Sequence, residues 1–287
     1  MEPLVSIGMS VFNCGSTLVP TIRSLLHQTY DNWELILLDD GSTDDTPELA
    51  RAFHDPRIRF IADGQNKGLG ARLNQAVDLS RGDYFARMDG GDVAYPDRIA
   101  VQSQFLEAHP QVDLVASRII IFRNQGRVVG TYPFMQTHDA ICKRPWAGFQ
   151  FPHPTWMGRT GWFRKNRYSS VMRKSQDQEL MLRTYRDSRF ESLDRTLLGY
   201  RKDHLSLRDI LKSRYYFSLS LLWRAGRDRN PVLALGVLEN AVKVSIEAFS
   251  IATGLDYLIL RRRALPVAQE EIARWQGVWA AIAEVKG

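Results

Sequence analysis

Along the first part of the chain, short apolar runs end in turn-forming residues and give way to stretches with apolar positions every three to four residues. LVSIGMSVF (residues 4–12) is continuous and β-branched, is closed by Asn13-Cys14-Gly15, and predicts a buried strand. In STLVPTIRSLLHQTY, Leu18, Ile22, Leu25 and Leu26 fall at helical spacing behind Ser16 as a candidate cap. WELILLDDGS predicts a second strand ending in two acids, and TPELARAFHD a helix with Thr46 as cap and Pro47 at its first position. RIRFIAD and DYFARMD supply two further strands; GLGARLNQAVDLSRG, closed by Gly82, and YPDRIAVQSQFLEAHP supply the helices after them. This alternation predicts an α/β fold built on a doubly wound, mostly parallel sheet with flanking helices. Ligands of such sheets bind beyond the carboxyl ends of the strands. Those ends carry Asn13, then Asp39 and Asp40, then the segment 63–67, then Asp89 and Asp92.

The second half is less regular. VDLVASRIIIFRNQGRVVGTYPF predicts two or three strands turning at Asn124-Gln125-Gly126, FQFPHPTWMGRTGWF reads as a loop, and SQDQELMLRTYRDS as a helix with its acids near the start. From residue 206 onward the pattern is helical. Glu239, Lys243 and Glu247 recur every four residues and predict one polar stripe on an otherwise apolar helix. No uncharged run there reaches the ~18–20 residues of a membrane span.

With 287 residues, 44% of them hydrophobic, the chain is long enough for one large domain, drawn at residues 1–205, and a helical appendage at 206–287. Cys14 and Cys142 provide neither a disulfide framework nor a zinc set. The N-terminus lacks the basic, apolar and cleavage regions of a signal peptide, so a reducing cytoplasm is the expected setting. The net charge of +6 is unevenly placed. Residues 205–287 hold twelve Lys and Arg against eight Asp and Glu, and residues 159–174 hold Arg159, Arg164, Lys165, Arg167, Arg173 and Lys174 with no acid. Such clusters suit phosphorylated substrates or anionic lipid, or simply face solvent. They do not interleave with any known nucleic-acid module, which disfavours that class of partner.

Asp89 and Asp92 bracket two glycines where the fourth strand ends. Carboxylates without matching cysteines suit a hard divalent cation, Mn²⁺ or Mg²⁺, whose remaining ligands come from water and phosphate. The same residues also make an ordinary turn. Asp177 stands where a helix begins, which fits a first-turn acid or a general base toward an acceptor hydroxyl. His204, after GYRKD, fits an exposed loop histidine or a metal ligand, and His153, among prolines and aromatics, a packed imidazole.

Taken together and in order, the motifs resemble family-2 glycosyltransferases of the GT-A fold over residues 3–205. VSIGMSVFN resembles the opening strand, YDNWELILLDDGSTDDT the nucleotide-binding segment, and NKGLGARLNQAVDLSRGDYFARMDGGD the stretch that runs through the metal motif. HPTWMGR resembles the segment under the acceptor site, SQDQELMLR the helix that carries the catalytic base, and LLGYRKDHLS the closing segment. The resemblance implies that Asp39 and Asp40 contact the base or ribose, that Val11, Phe12 and Asn13 flank it, and that Asn66, Lys67 and Arg72 lie near the nucleotide and its phosphates. It implies a metal-side role for Asp89, with Asp92 and His204 as further ligands, an acceptor-side place for His153, and Asp177 as the base. The implied reaction is an inverting transfer from a nucleotide-diphosphate sugar, with a UDP-sugar expected, to a hydroxyl of a glycan or lipid-linked acceptor in cell-surface polysaccharide assembly.

Three departures stand out. Gly91 occupies the place of the usual second metal-binding acid, SVFN replaces the usual opening turn, and Gln176 replaces the acid before the base. A nucleotide-sugar-binding homologue with impaired catalysis and a nucleotidyltransferase therefore stay open as alternatives, although NCGSTLVP lacks the phosphate loop expected of the latter. For the appendage, the expectation is contact with an anionic membrane, peripheral on the inner face, or with a second copy of the chain, weighed against simple packing on the domain.

Overall fold

The computed structural model describes residues 2–203, 207–253 and 265–283. The predicted alternation is present as β1 (Val5–Val11), α1 (Gly15–Leu26), β2 (Trp33–Asp39), α2 (Thr46–Arg51), β3 (Ile58–Ala62), α3 (Leu69–Leu79) and β4 (Tyr84–Asp89). β1, β2 and β4 are buried along almost their whole length, which is why each reads as a largely apolar run. They pair in parallel in the order β3-β2-β1-β4. After β4 follow β5 (Val93–Ala94), α4 (Arg98–Ala108), β6 (Leu114–Arg123), β7 (Arg127–Gly130), α5 (His138–Ile141), β8 (Met157–Arg159), α6 (Thr160–Lys165), α7 (Gln176–Thr184) and β9 (Phe190–Arg201).

The sheet does not stop at β4. β8 pairs antiparallel with β4 and carries it on to β6 and β9, giving the path β3-β2-β1-β4-β8-β6-β9-β5. β8 comes from the segment read as a loop; it is three residues long, too short for a period to show. The parallel expectation thus holds for the N-terminal strands, and the other half mixes both senses. The turn at Asn124-Gln125-Gly126 joins β6 to β7 as expected, with Asn124 and Gly126 both at positive φ.

Apolar residues of α1, α2 and α4 close one face of the sheet, and those of α3, α6 and α7 the other. The appendage consists of α8 (Leu207–Arg227), α9 (Val232–Ala252) and α10 (Gln269–Ala283). α10 docks on the domain: Trp275 is buried against Phe122 and Tyr95, and Arg274 reaches Asp97. α8 adds Phe217 and Leu221, and α9 adds Leu233, to the apolar cluster on the α3, α6 and α7 face. His204 and the Arg261-Arg262-Arg263 run lie outside the described residues. No helix among the described residues is long and apolar enough to cross a membrane.

Candidate active site

Strand register places the candidate residues side by side. Val11, the last residue of β1, is opposite Asp39 of β2, and Ser10 is opposite Asp89 of β4. The carboxyl ends of three adjacent strands therefore present two acids with the β1 turn between them. That turn is locked to the loop after β2. Asn13 sits at φ 51° and accepts through Oδ1 from the Thr43 amide at 2.9 Å, while the Cys14 amide donates to Thr46 Oγ1 at 2.7 Å and the Gly15 amide to Asp44 at 3.0 Å. Asp39 accepts through Oδ2 from the Gly41 and Ser42 amides, and its Oδ1 is buried without a protein partner. Phe12 is left 48% exposed beside these groups.

Asp40 and Arg72 form a buried pair at the foot of the 63–68 loop. Asp40 accepts from the Lys67 amide at 2.7 Å, the Gly68 amide at 3.0 Å and Arg72 Nε at 2.9 Å. The Arg72 guanidinium is fully buried and also pairs with Asp63 and Gln75. Together they hold the 63–68 loop against β2 from beneath. Lys67, paired with Asp63, and Asn66 are exposed on that loop's outer side.

Asp89 and Asp177 share one cavity of about 600 Å³, also lined by Arg87, His153, Gln178 and Tyr200. β4 delivers Asp89 at its end, and Arg87, buried in the same strand, pairs with it. Asp177 comes from the first turn of α7, which is entered through Ser175 at φ 56°, and accepts from Gln178 Nε2 at 3.1 Å. His153 is packed edge-on against Trp156 and bonded through Nε2 to the Tyr168 hydroxyl at 2.9 Å. Burial, and then the nearby Arg87 cation, push its pKa well below the usual imidazole range, so the ring is neutral at pH 7. His153 is thus a packed imidazole that also lines the cavity.

Asp92 does not reach the cavity wall. Its Oδ1 accepts from the Arg201 amide at 3.0 Å and its Oδ2 is buried without a partner. Burial and the neighbouring Asp89 charge raise its pKa well above the ordinary carboxylate range. The two glycines differ in kind. A Cβ on Gly90 would come 2.6 Å from Val11 Cγ1, so close approach to β1 demands glycine there. A Cβ on Gly91 would meet nothing nearer than 3.6 Å, from Arg201, so close packing does not demand glycine there. Thr17 Oγ1 donates to the Gly90 carbonyl and Arg201 Nε to that of Gly91, which fixes the turn from both sides.

Among the described residues no group of three or more His, Cys, Asp or Glu converges to hold a metal. The chemistry of the donor set nevertheless fits a hard cation. Asp89 is a partly exposed carboxylate on the cavity wall, and Mg²⁺-type sites use one or two carboxylates with water and substrate phosphate.

Residues 6–167 match the family described as "Glycosyl transferase family 2". The chain belongs to the family-2 glycosyltransferases. "Putative glycosyltransferase EpsE" of Bacillus subtilis is 37% identical over 209 residues, covering 70% of this chain and 74% of that one. Among solved structures, S. aureus TarS 1-349 in complex with UDP-GlcNAc superposes with a TM-score of 0.62 at 16% identity, over 97% of this chain and 81% of that one. The mannosyltransferase PcManGT from Pyrobaculum calidifontis, in complex with GDP-Man and Mn²⁺, gives 0.62 at 15% identity over 99% and 86%. This glycosyltransferase thus has the GT-A-type fold with a C-terminal helical region, and it is a transferase enzyme.

Sequence reasoning overlooked Arg87, Tyr168, Tyr200 and Gln178. For Arg87 there was a signal: a charged side chain inside an otherwise apolar strand is rarely buried without a partner. The aromatic and amide residues carried none, since their place depends on how β9 and α7 fold back over β4.

Proposed function

We propose that this glycosyltransferase moves a sugar, with inversion, from a nucleotide-diphosphate donor to a hydroxyl of a glycan or lipid-linked acceptor in cell-surface polysaccharide assembly. The observation that carries the proposal is the shared cavity of Asp89 and Asp177 at the carboxyl end of the sheet. In this reading Phe12, Asn13 and the free Oδ1 of Asp39 receive the nucleoside. Asn66 and Lys67 border it from the loop that Asp40 and Arg72 hold in place. The UDP-GlcNAc and GDP-Man bound by the two structural neighbours support a nucleotide-sugar donor, with a UDP-sugar preferred.

The chemistry then needs one base on the far side of the sugar from the diphosphate. Asp177 takes the proton of the acceptor hydroxyl, the oxygen attacks the anomeric carbon, and the bond to the diphosphate breaks with its electron pair leaving on phosphate. The neutral His153, held by Tyr168, shapes the acceptor side and leaves proton transfer to the carboxylate. Asp89 is the residue that would hold Mn²⁺ or Mg²⁺; the ion would supply charge neutralisation of the departing diphosphate. Arg87, pinned to Asp89, orients that carboxylate.

A thermal-shift panel of nucleotide sugars, each with Mn²⁺, Mg²⁺ or chelator, tests the donor and the ion together. A ligand at 100 times its Kd adds about 2.7 kcal/mol of stability, a rise of several degrees. No shift with any nucleotide sugar at millimolar concentration would overturn the proposal.

A further inference from the structure

The expected polar stripe of α9 exists, but it faces inward. Glu239 pairs with Lys243 at 2.7 Å and with Arg144 of the domain, and Glu247 is buried against Arg214 of α8 at 2.6 Å. The opposite side of α9 is apolar and points to solvent: Leu235, Leu238, Val242, Ile246 and Phe249 recur every three or four residues, with Leu238 66% and Phe249 67% exposed. α8, packed beside α9, also exposes Leu211, Tyr215, Leu219, Leu222 and Trp223. A water-facing helix normally has the reverse arrangement. A patch of this extent on a soluble protein marks a contact surface.

Charge identifies what it contacts. Each described acid of the two helices is taken by a cation of the protein itself: Asp209 by Lys174, Asp228 by Arg224, Glu239 by Lys243 and Arg144, Glu247 by Arg214. The exposed charges bordering the apolar face include Lys212, Arg227 and Arg229, all cations. Arg227 and Arg224 flank the exposed Trp223 ring, 5.0 and 5.8 Å from its centre. An apolar face with an aromatic and basic border complements an anionic lipid surface. On a second copy the same face would set Lys212, Arg227 and Arg229 against like charges; among the described residues of the two helices the exposed acid is Asp209, already paired with Lys174.

We propose that α8 and α9 dock this protein flat on an anionic membrane, with their apolar face in the headgroup layer. The inner side of the same helices, through Ser213, Arg214, Phe217 and Asn240, walls a cavity of about 560 Å³. That cavity also touches Gln178, the neighbour of Asp177, and Gln178 lines the Asp89–Asp177 cavity too. Docking therefore puts the reaction centre on the far side of these helices from the lipid, at least about 10–12 Å above it. The docking goes beyond the sugar-transfer reading and is tested without it.

The experiment is co-sedimentation of the full chain with vesicles of phosphatidylcholine and phosphatidylglycerol, against phosphatidylcholine alone, at low and high salt. Binding to the anionic vesicles is expected, weakened by salt. It should fall at least about tenfold in Leu238→Glu/Ile246→Glu and by a smaller factor in Lys212→Gln/Arg229→Gln. All these positions are exposed, and unchanged thermal melting of the variants confirms that they fold. Failure of the wild type to bind would overturn the proposal, as would unaltered binding by the Leu238→Glu/Ile246→Glu variant. A lipid-indifferent dimer that this variant splits, seen by sedimentation velocity, would overturn it in favour of a copy-to-copy interface.

Discussion

Replacing Asp40 by alanine should destabilise the folded protein by about 3–5 kcal/mol, the range for breaking a buried pair and leaving one charge behind. The figure follows from its surroundings. Its carboxylate accepts two amides of the 67–68 loop and Arg72 Nε, at 2.7–3.0 Å. Side-chain exposure at the pair is 0% for Arg72 and 7% for Asp40. Water therefore cannot readily replace the lost partner. Each charge-assisted bond is worth about 1.5–3 kcal/mol, and the three are not additive because Arg72 keeps Asp63. For a chain of this size the loss lowers Tm by roughly 6–20 °C. Denaturant unfolding of wild type, Asp40→Ala and Asp40→Asn measures it directly, and asparagine should recover part of the loss by accepting from an amide. Nucleotide affinity should fall only as far as the loop loosens, and ITC well below the variant's Tm reads that separately. A destabilisation under about 1 kcal/mol with affinity abolished would refute the reasoning and make nucleotide contact the main role of Asp40.

Three shorter predictions follow from the same geometry. Gly90→Ala should cost about 1–3 kcal/mol because its Cβ would collide with Val11, whereas Gly91→Asp should unfold within about 1 kcal/mol of wild type. If a second acid completes the cation site, Gly91→Asp should also bind Mn²⁺ more tightly by ITC. For His153 the folded pKa lies below the unfolded value of about 6.5, so its contribution is complete above that pH and is lost as pH falls toward the folded pKa. Between those values wild type should lose up to about 1.4 kcal/mol per pH unit through this residue, and His153→Gln should flatten the slope by up to one proton in pH-dependent denaturation.

The legibility of the chain follows burial. β1, β2 and β4 lie inside a parallel sheet covered on both faces, so their sequences are largely apolar runs, interrupted by Glu34 and Arg87, and the turns after them could be read directly. β9 could not: it mixes Glu191, Asp194 and Arg195 with Leu197 and Leu198, because its first half is partly solvated and its second half buried. β8 has only three residues, and its strand character comes from being gripped between β4 and β6. Asp89 and Asp177 were legible as acids at a strand end and a helix start, and the structure puts both in one cavity with His153. That Asp40 rather than Asp39 bonds the 63–68 loop was not legible, since adjacent residues at a strand end point opposite ways and the contact depends on where that loop folds back. The burial of Asp92 beneath Arg201 was not legible for a similar reason, since β9 supplies that amide from a distant part of the chain. On α9 the spacing gave the stripe correctly, but only Arg144 and Arg214 reveal that it faces the protein.

The central claim is that Asp177 is the base of a transfer whose donor sits at Asp89. Single-turnover assay of Asp177→Asn, beside ITC of the same variant with the nucleotide sugar, tests it most directly. The account predicts nucleotide affinity within about twofold of wild type and turnover reduced by at least 10²-fold, the scale of lost general-base catalysis. Turnover near the wild-type rate with intact binding would contradict it.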